Sequence, residues 1–200
     1  MKNILKSLGF KKNWVYEVIV TTEYNGIAHA APMGVSSSDL RKILVSVYKS
    51  AETCRNISET GFFAVNFTND MSLFYSSLHE KKKIKYIQPK GLVISVLGKA
   101  DAFVEARVTS EKDADEKIIF TAEVIGFAKN GKRKIQLINR AESLALEALI
   151  KASKIKATKD SVKRKHLLDE LRYIAFAASK TAPDSSHARM ASKLSSLFRR

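Results

Sequence analysis

Residues 16–35 read Tyr16-Glu17-Val18-Ile19-Val20-Thr21-Thr22-Glu23-Tyr24-Asn25-Gly26-Ile27-Ala28-His29-Ala30-Ala31-Pro32-Met33-Gly34-Val35. Two β-rich runs flank Tyr24-Asn25-Gly26. Asn-Gly accepts the positive φ angles of a tight hairpin, so the stretch is predicted to be two antiparallel strands. The first, Val15–Thr22, is rich in β-branched residues. The second, Ile27–Val35, contains His29-Ala30-Ala31-Pro32-Met33-Gly34. Small residues and a proline fill a core poorly, but they let a flat, rigid group approach the backbone closely. The second strand therefore points to a bound ligand as well as to a β fold.

Outward from the hairpin, Ile43–Tyr48 is predicted as a third strand. Ser50–Ile57 breaks the pattern as a short helix with a polar start, ended by Gly61. Phe62–Phe67, Leu92–Leu97, Lys99–Val108, Glu116–Phe127 and Lys134–Ile138 read as further short strands. Met71–Tyr86 is helical or loop, and its run His79-Glu80-Lys81-Lys82-Lys83-Ile84-Lys85 reads as a solvated charge run. Short antiparallel strands without regular helical crossovers indicate a barrel or a sandwich.

After Ile138 the texture changes. An Ala/Leu-rich helix is predicted from about Asn139 to Ala157, with Leu144, Leu146, Ala148, Leu149 and Ile150 on a broad apolar face. Asp160 or Ser161 can cap a second helix reaching about Ser179, and Ser185 or Ser186 a third. The expected organisation is a β-domain over residues 1–139 and a helical subdomain over 140–200, an α+β, mainly β chain.

The 200 residues carry a formal net charge of +15, with 45% hydrophobic residues. Residues 141–200 account for +7 and residues 1–140 for +8. Charge so evenly spread lacks the density, and the interleaved aromatics, of a nucleic-acid arm. It fits a basic surface that welcomes anionic small molecules. No apolar run approaches bilayer length, no export signal is evident, and Cys54 is the only cysteine. A cytoplasmic protein without disulfides is the expectation.

Most catalytic and metal signatures do not occur. His29, His79, His166 and His187 are scattered, and none has the helical zinc spacing. There is no Gly-x-Ser-x-Gly elbow, no Gly-x-Gly-x-x-Gly and no phosphate-binding P-loop. Met33 on its own would be a core filler, and Cys54 a small buried hydrophobe. His29 on its own would be a hydrogen-bonded strand histidine or an acid. What remains is Ser50-x-x-Thr53-x-Arg55-Asn56, directly after a strand. Hydroxyls, a guanidinium and an amide at a helix start make an anion site, because free N–H groups and the dipole face the ligand. The plainer alternative makes Ser50 a helix cap and leaves Arg55 in solvent.

The order hairpin, His29-Ala30-Ala31-Pro32-Met33-Gly34-Val35, strand, Ser50-x-x-Thr53-x-x-Asn56-Ile57, Phe62-Phe63-Ala64-Val65-Asn66-Phe67 resembles the FMN-binding split-barrel superfamily. That superfamily includes pyridoxamine-phosphate oxidases and flavin reductases. Asn139-Arg140-Ala141, opening the helical region, is similar to a family of uncharacterised archaeal and bacterial flavoproteins. The resemblance implies an antiparallel split β-barrel binding FMN at a homodimer interface. It implies Ser50, Thr53, Arg55 and Asn56 on the phosphate or ribityl chain, and His29, Ala31, Pro32, Met33 and Gly34 near the ring. Asn66 and Asp70, from either subunit, would complete the pocket. An oxidoreductase using NAD(P)H or another small redox substrate is the leading expectation, ahead of a non-catalytic flavin carrier and of a nucleic-acid binder. The C-terminal Arg/His signature of the pyridoxamine-phosphate oxidases is missing, which argues against a pyridoxine-type substrate.

Overall fold

The computed structural model of the chain describes residues 3–130 and 135–198. Its elements are α1 (Ile4–Leu8), β1 (Tyr16–Tyr24), β2 (Ile27–Ser36), β3 (Lys42–Tyr48), α2 (Glu52–Thr60), β4 (Phe62–Phe67) and α3 (Met71–His79). They continue through a 3-10 turn (Lys81–Lys83), β5 (Tyr86–Ile87), β6 (Val96–Leu97), β7 (Ala102–Ala114) and β8 (Lys117–Lys129). Three helices follow, α4 (Ala141–Ala157), α5 (Ser161–Thr181) and α6 (Ser186–Leu197). The chain forms two compact units. One holds the residues up to Lys12 with Tyr16–Ile138, and the other holds Asn13–Val15 with the chain from Asn139 on.

The first unit is a closed antiparallel barrel in the order β1-β2-β3-β8-β7-β4. The expected β1–β2 hairpin is present, with Asn25 at φ 51° and Gly26 at φ 74°, the positive angles that only such residues adopt cheaply. Its ladder runs unbroken from Tyr16↔Val35 to Tyr24↔Ile27. On the other side, β2 meets β3 only at Val35↔Val45 and Ser36↔Leu44, while β3 continues along β8 to Tyr48↔Lys117. The barrel is thus split between β2 and β3, and α2 packs over β1, β2 and β3 there. Ile19, Val20, Val45, Phe63, Val65, Phe120 and Ala122 are fully buried in this unit.

Several expectations need correction. The apolar run Leu92–Leu97 is not a strand throughout, and only Val96–Leu97 pairs, with Tyr86–Ile87. Ahead of it, Val93 and Ile94 donate their N–H groups to the buried Glu105 carboxylate at 2.6 and 2.8 Å. A side chain thus stands in for a strand partner, and the apolar side chains Ile94 and Val96 still bury against Ala64 and Phe103. In the expected strand Lys134–Ile138, Lys134 lies outside the described residues, and Ile138 makes a single bridge to Glu17. The helix α1 was not anticipated. It is held by Asn3, which accepts from Lys6 N at 3.1 Å, and by Gly9 at φ 93°.

In the second unit, α4, α5 and α6 share a core of Ala148, Ile155, Leu167, Leu171, Ile174, Ala175, Ala178 and Ala191. Asp160 caps α5 through Lys163 N at 3.0 Å, and Ser185 caps α6 through Ala188 N at 2.9 Å. Asn139 accepts from Ala141 N at 3.0 Å and donates to Val15 O at 2.7 Å and Thr181 O at 3.2 Å. The Asn-Arg-Ala junction is therefore a structural knot, with Asn139 rather than Arg140 supplying the side-chain cap.

Candidate functional site

The split between β2 and β3 gathers most of the residues singled out in the sequence. From Ala31 to Gly34, β2 loses its buried/exposed alternation, and four successive residues are half-buried. This stretch has β1 on one side and, among the described residues, no strand on the other. Pro32 is tolerated there because proline, which cannot donate to a ladder, belongs on an edge. The open edge offers backbone donors and acceptors beside small side chains, the pairing surface a flat heterocycle needs.

At the same split, α2 presents its N-terminus. Contrary to the capping alternative, Ser50 does not cap the helix. The N-cap is Ala51, and no side chain makes a cap hydrogen bond. Such an end leaves donors and a positive dipole terminus for an anion. The four residues of the motif divide into two pairs. Ser50 and Arg55 are exposed, whereas Thr53 and Asn56 lie beneath the helix, each 1% exposed. Asn56 Nδ2 donates to Thr22 Oγ1 at 3.1 Å. Thr53 Oγ1 and Asn56 Oδ1 are buried with no hydrogen-bond partner among the described residues. Orphaned buried oxygens are costly, and two on one helix face mark a site built for something further. Beside them, a cavity of about 260 Å³ is lined by Tyr24, Asn25, Ile27, Glu52, Arg55 and Asn56. The Arg55 guanidinium lies 5.9 Å from the Tyr24 ring centre.

His29 joins strand to helix. Its Nδ1 is 3.1 Å from Glu52 Oε2 and 3.4 Å from Lys81 Nζ, and Lys81 is 3.7 Å from the same carboxylate oxygen. Burial holds the imidazole below its ordinary range. Glu52 opposes that shift, and Lys81 and Arg55 reinforce it. A neutral ring can satisfy only one of the two neighbours through Nδ1, and the nearer carboxylate makes Nδ1–H the donor, leaving Nε2 as acceptor. A base whose folded pKa is depressed contributes stability above its unfolded value, about 6.5, and loses it as pH falls below that value. Urea unfolding of His29→Gln should therefore lose less stability than the parent as pH falls from about 7.5 to about 5.5, and an equal loss in both would remove His29 as the cause.

Neither Asn66 nor Asp70 reaches into this cluster. Asn66 is fully buried, donates to Ile19 O and Thr21 Oγ1 at 3.0 Å each and accepts from Leu97 N at 2.8 Å. Asp70 caps α3 through Ser72 N at 2.9 Å. Conversely, Glu52 and Lys81 join the His29 cluster and Tyr24 lines the cavity beside it, and none of the three was singled out in the sequence. Glu52 sat inside the quoted motif, and Lys81 sat in a charge run read as solvated. Burial raises the Cys54 thiol above its usual value, which makes it an inert packing group. Among the described residues, no three of His, Cys, Asp and Glu gather as metal ligands, and no helix is long and apolar enough to cross a membrane.

A family model described as "protein of unknown function (DUF447) N-terminal domain" matches residues 16–131. The chain belongs to the DUF447 family. No protein of curated function matches it by sequence. Among solved structures, this DUF447 chain is similar to an FMN-bound DUF447 protein from Methanosarcina mazei. The two share 23% identity and a TM-score of 0.56, over 96% of this chain and 98% of that one. It is also similar to an NADH:FAD oxidoreductase from Streptomyces globisporus, with 16% identity, TM-score 0.54, and 62% and 75% coverage. A third similar structure is nitrilotriacetate monooxygenase component B from Mycobacterium thermoresistibile, with 18% identity, TM-score 0.53, and 68% and 79% coverage. At these identities the likeness establishes the fold, the split barrel expected from the sequence.

Proposed function

We propose that this DUF447 chain is an FMN-binding oxidoreductase, with the flavin seated in the split between β2 and β3. The observation that carries this reading is the pairing of an uncapped helix N-terminus, above two orphaned buried oxygens, with an open strand edge of small residues. One end suits a phosphate, and the other suits a planar ring with a polar rim. Ser50, Arg55 and the first N–H groups of α2 would hold the phosphate, with Thr53 and Asn56 shaping the floor. Ala31, Pro32, Met33 and Gly34 would support the ring through their backbone. His29, fixed by Glu52, would keep a proton acceptor at Nε2 beside that strand. Asn66 and Asp70 enter this reading as positioning residues for β1, β6 and α3. When bound, FMN supplies the hydride and single-electron chemistry that protein side chains lack. Two similar proteins support the assignment: the Methanosarcina mazei relative is FMN-bound, and the Streptomyces globisporus protein is an NADH:FAD oxidoreductase.

A second copy of the chain would cover the open edge of β2, so the working form is a homodimer, and the single buried thiol suits a reducing cytoplasm. Light scattering should return twice the chain mass, and a monomer holding FMN would remove the partner from the site. Anaerobic mixing of the FMN-loaded protein with NADH or NADPH should bleach the flavin. Retention of colour with both donors would overturn the NAD(P)H-dependent reading.

A further inference from the structure

The lysine run read as solvated in the sequence does not behave as one face. Lys81 turns to His29 and Glu52, whereas Lys83 and Lys85 turn to a separate cavity of about 220 Å³. Its wall brings together Lys83 from the 3-10 turn, Lys85 from the link to β5, Lys99 from the turn after β6, and Ser72 and Ser76 one turn apart on α3. A hydrogen bond from Gly98 N to Lys85 O, 2.9 Å, fixes the two lysine-bearing segments side by side. Lys83 is paired with Glu80 at 2.7 Å. Among the described residues, no carboxylate lies within 4.0 Å of the Lys85 or Lys99 ammonium. Asp70, the carboxylate on this wall, has Oδ1 committed to Ser72 N. The cavity is floored by the buried side chains of Ile84 and Leu97.

We propose that Lys83, Lys85 and Lys99, with the hydroxyls of Ser72 and Ser76, form an anion site that takes the phosphate or pyrophosphate group of a small ligand. Lysines from three segments, two of them uncompensated, line one cavity with two serines, and ammonium and hydroxyl groups are the donor set phosphate recognition uses. The volume equals roughly seven waters at about 30 Å³ each. That suits a phosphate or pyrophosphate group and lies below the roughly 300–1,000 Å³ of a pocket for a whole drug-sized molecule. Among the described residues no aromatic side chain lines the cavity, so a stacked nucleic-acid base has no platform there. The site stands on its own residues and is independent of where FMN binds.

The test is calorimetric titration of pyrophosphate into the purified full-length chain, with and without added FMN, at low ionic strength. Saturable binding is expected. It should weaken at least tenfold in Lys85→Ala/Lys99→Ala and remain within about twofold in Lys82→Ala, whose exposed side chain is outside this cavity. The FMN affinity of the double variant should not change. Absence of pyrophosphate binding, or equal weakening in Lys82→Ala, would overturn the site. If the double variant loses FMN affinity instead, the lysines serve the flavin, and the separate anion site falls.

Discussion

Replacing Ser50 and Arg55 together by alanine should weaken FMN binding by about 100-fold. Hydrogen bonds to a charged partner are worth about 1.5–3 kcal/mol, and every 1.4 kcal/mol is tenfold in affinity. Arg55 supplies a charged fork, and Ser50 a hydroxyl, at a helix end whose own N–H groups remain. Those remaining donors keep binding from vanishing. Both side chains are exposed, so thermal stability without FMN should shift by no more than about 0.5 kcal/mol. Fluorescence quenching of FMN against protein concentration reads the affinity, and apo-protein melting reads the stability. Unchanged affinity would move the phosphate away from α2.

Asn66→Ala should have the opposite profile. Its amide joins β1 to β4 through Ile19 O and Thr21 Oγ1 and holds β6 through Leu97 N, all in a fully buried setting. Removing it deletes three hydrogen bonds of about 1 kcal/mol each and leaves Leu97 N–H buried without its acceptor. A loss of about 3–4 kcal/mol follows. For a chain of this size that lowers the melting temperature by about 6–16 °C, at 2–4 °C per kcal/mol. Calorimetry of apo-protein checks it. A variant that melts like the parent but loses FMN would make Asn66 a ligand contact, contrary to its place in the structure.

Ser50 and Asn66 show what sequence can and cannot convey. Asn25-Gly26, Gly61 and the small-residue run of β2 act locally, so the hairpin, the end of α2 and the break in the alternation of β2 were legible. The order of motifs sufficed for the split barrel. Asn66 lies within the strand Phe62–Phe67 in the linear pattern, and nothing local shows that its amide is consumed by Ile19, Thr21 and Leu97. Leu92–Leu97 has the apolar content of a strand, yet the Glu105 carboxylate takes its N–H groups. Ser50 has the chemistry of a cap, but the helix begins one residue too late for it to serve. Lys81 was hidden in a charge run because its partners, His29 and Glu52, come from distant segments. For Asn66, Leu92–Leu97 and Lys81 a nonlocal hydrogen bond or ion pair overrode a local preference.

If FMN sits in the split between β2 and β3, the visible absorption spectrum of the purified protein shows it. A yellow protein with oxidised-flavin absorption that releases stoichiometric FMN on denaturation is expected, or a colourless apo-protein that acquires the same spectrum at micromolar FMN. A protein that is colourless as purified and takes up no FMN at those concentrations would contradict it.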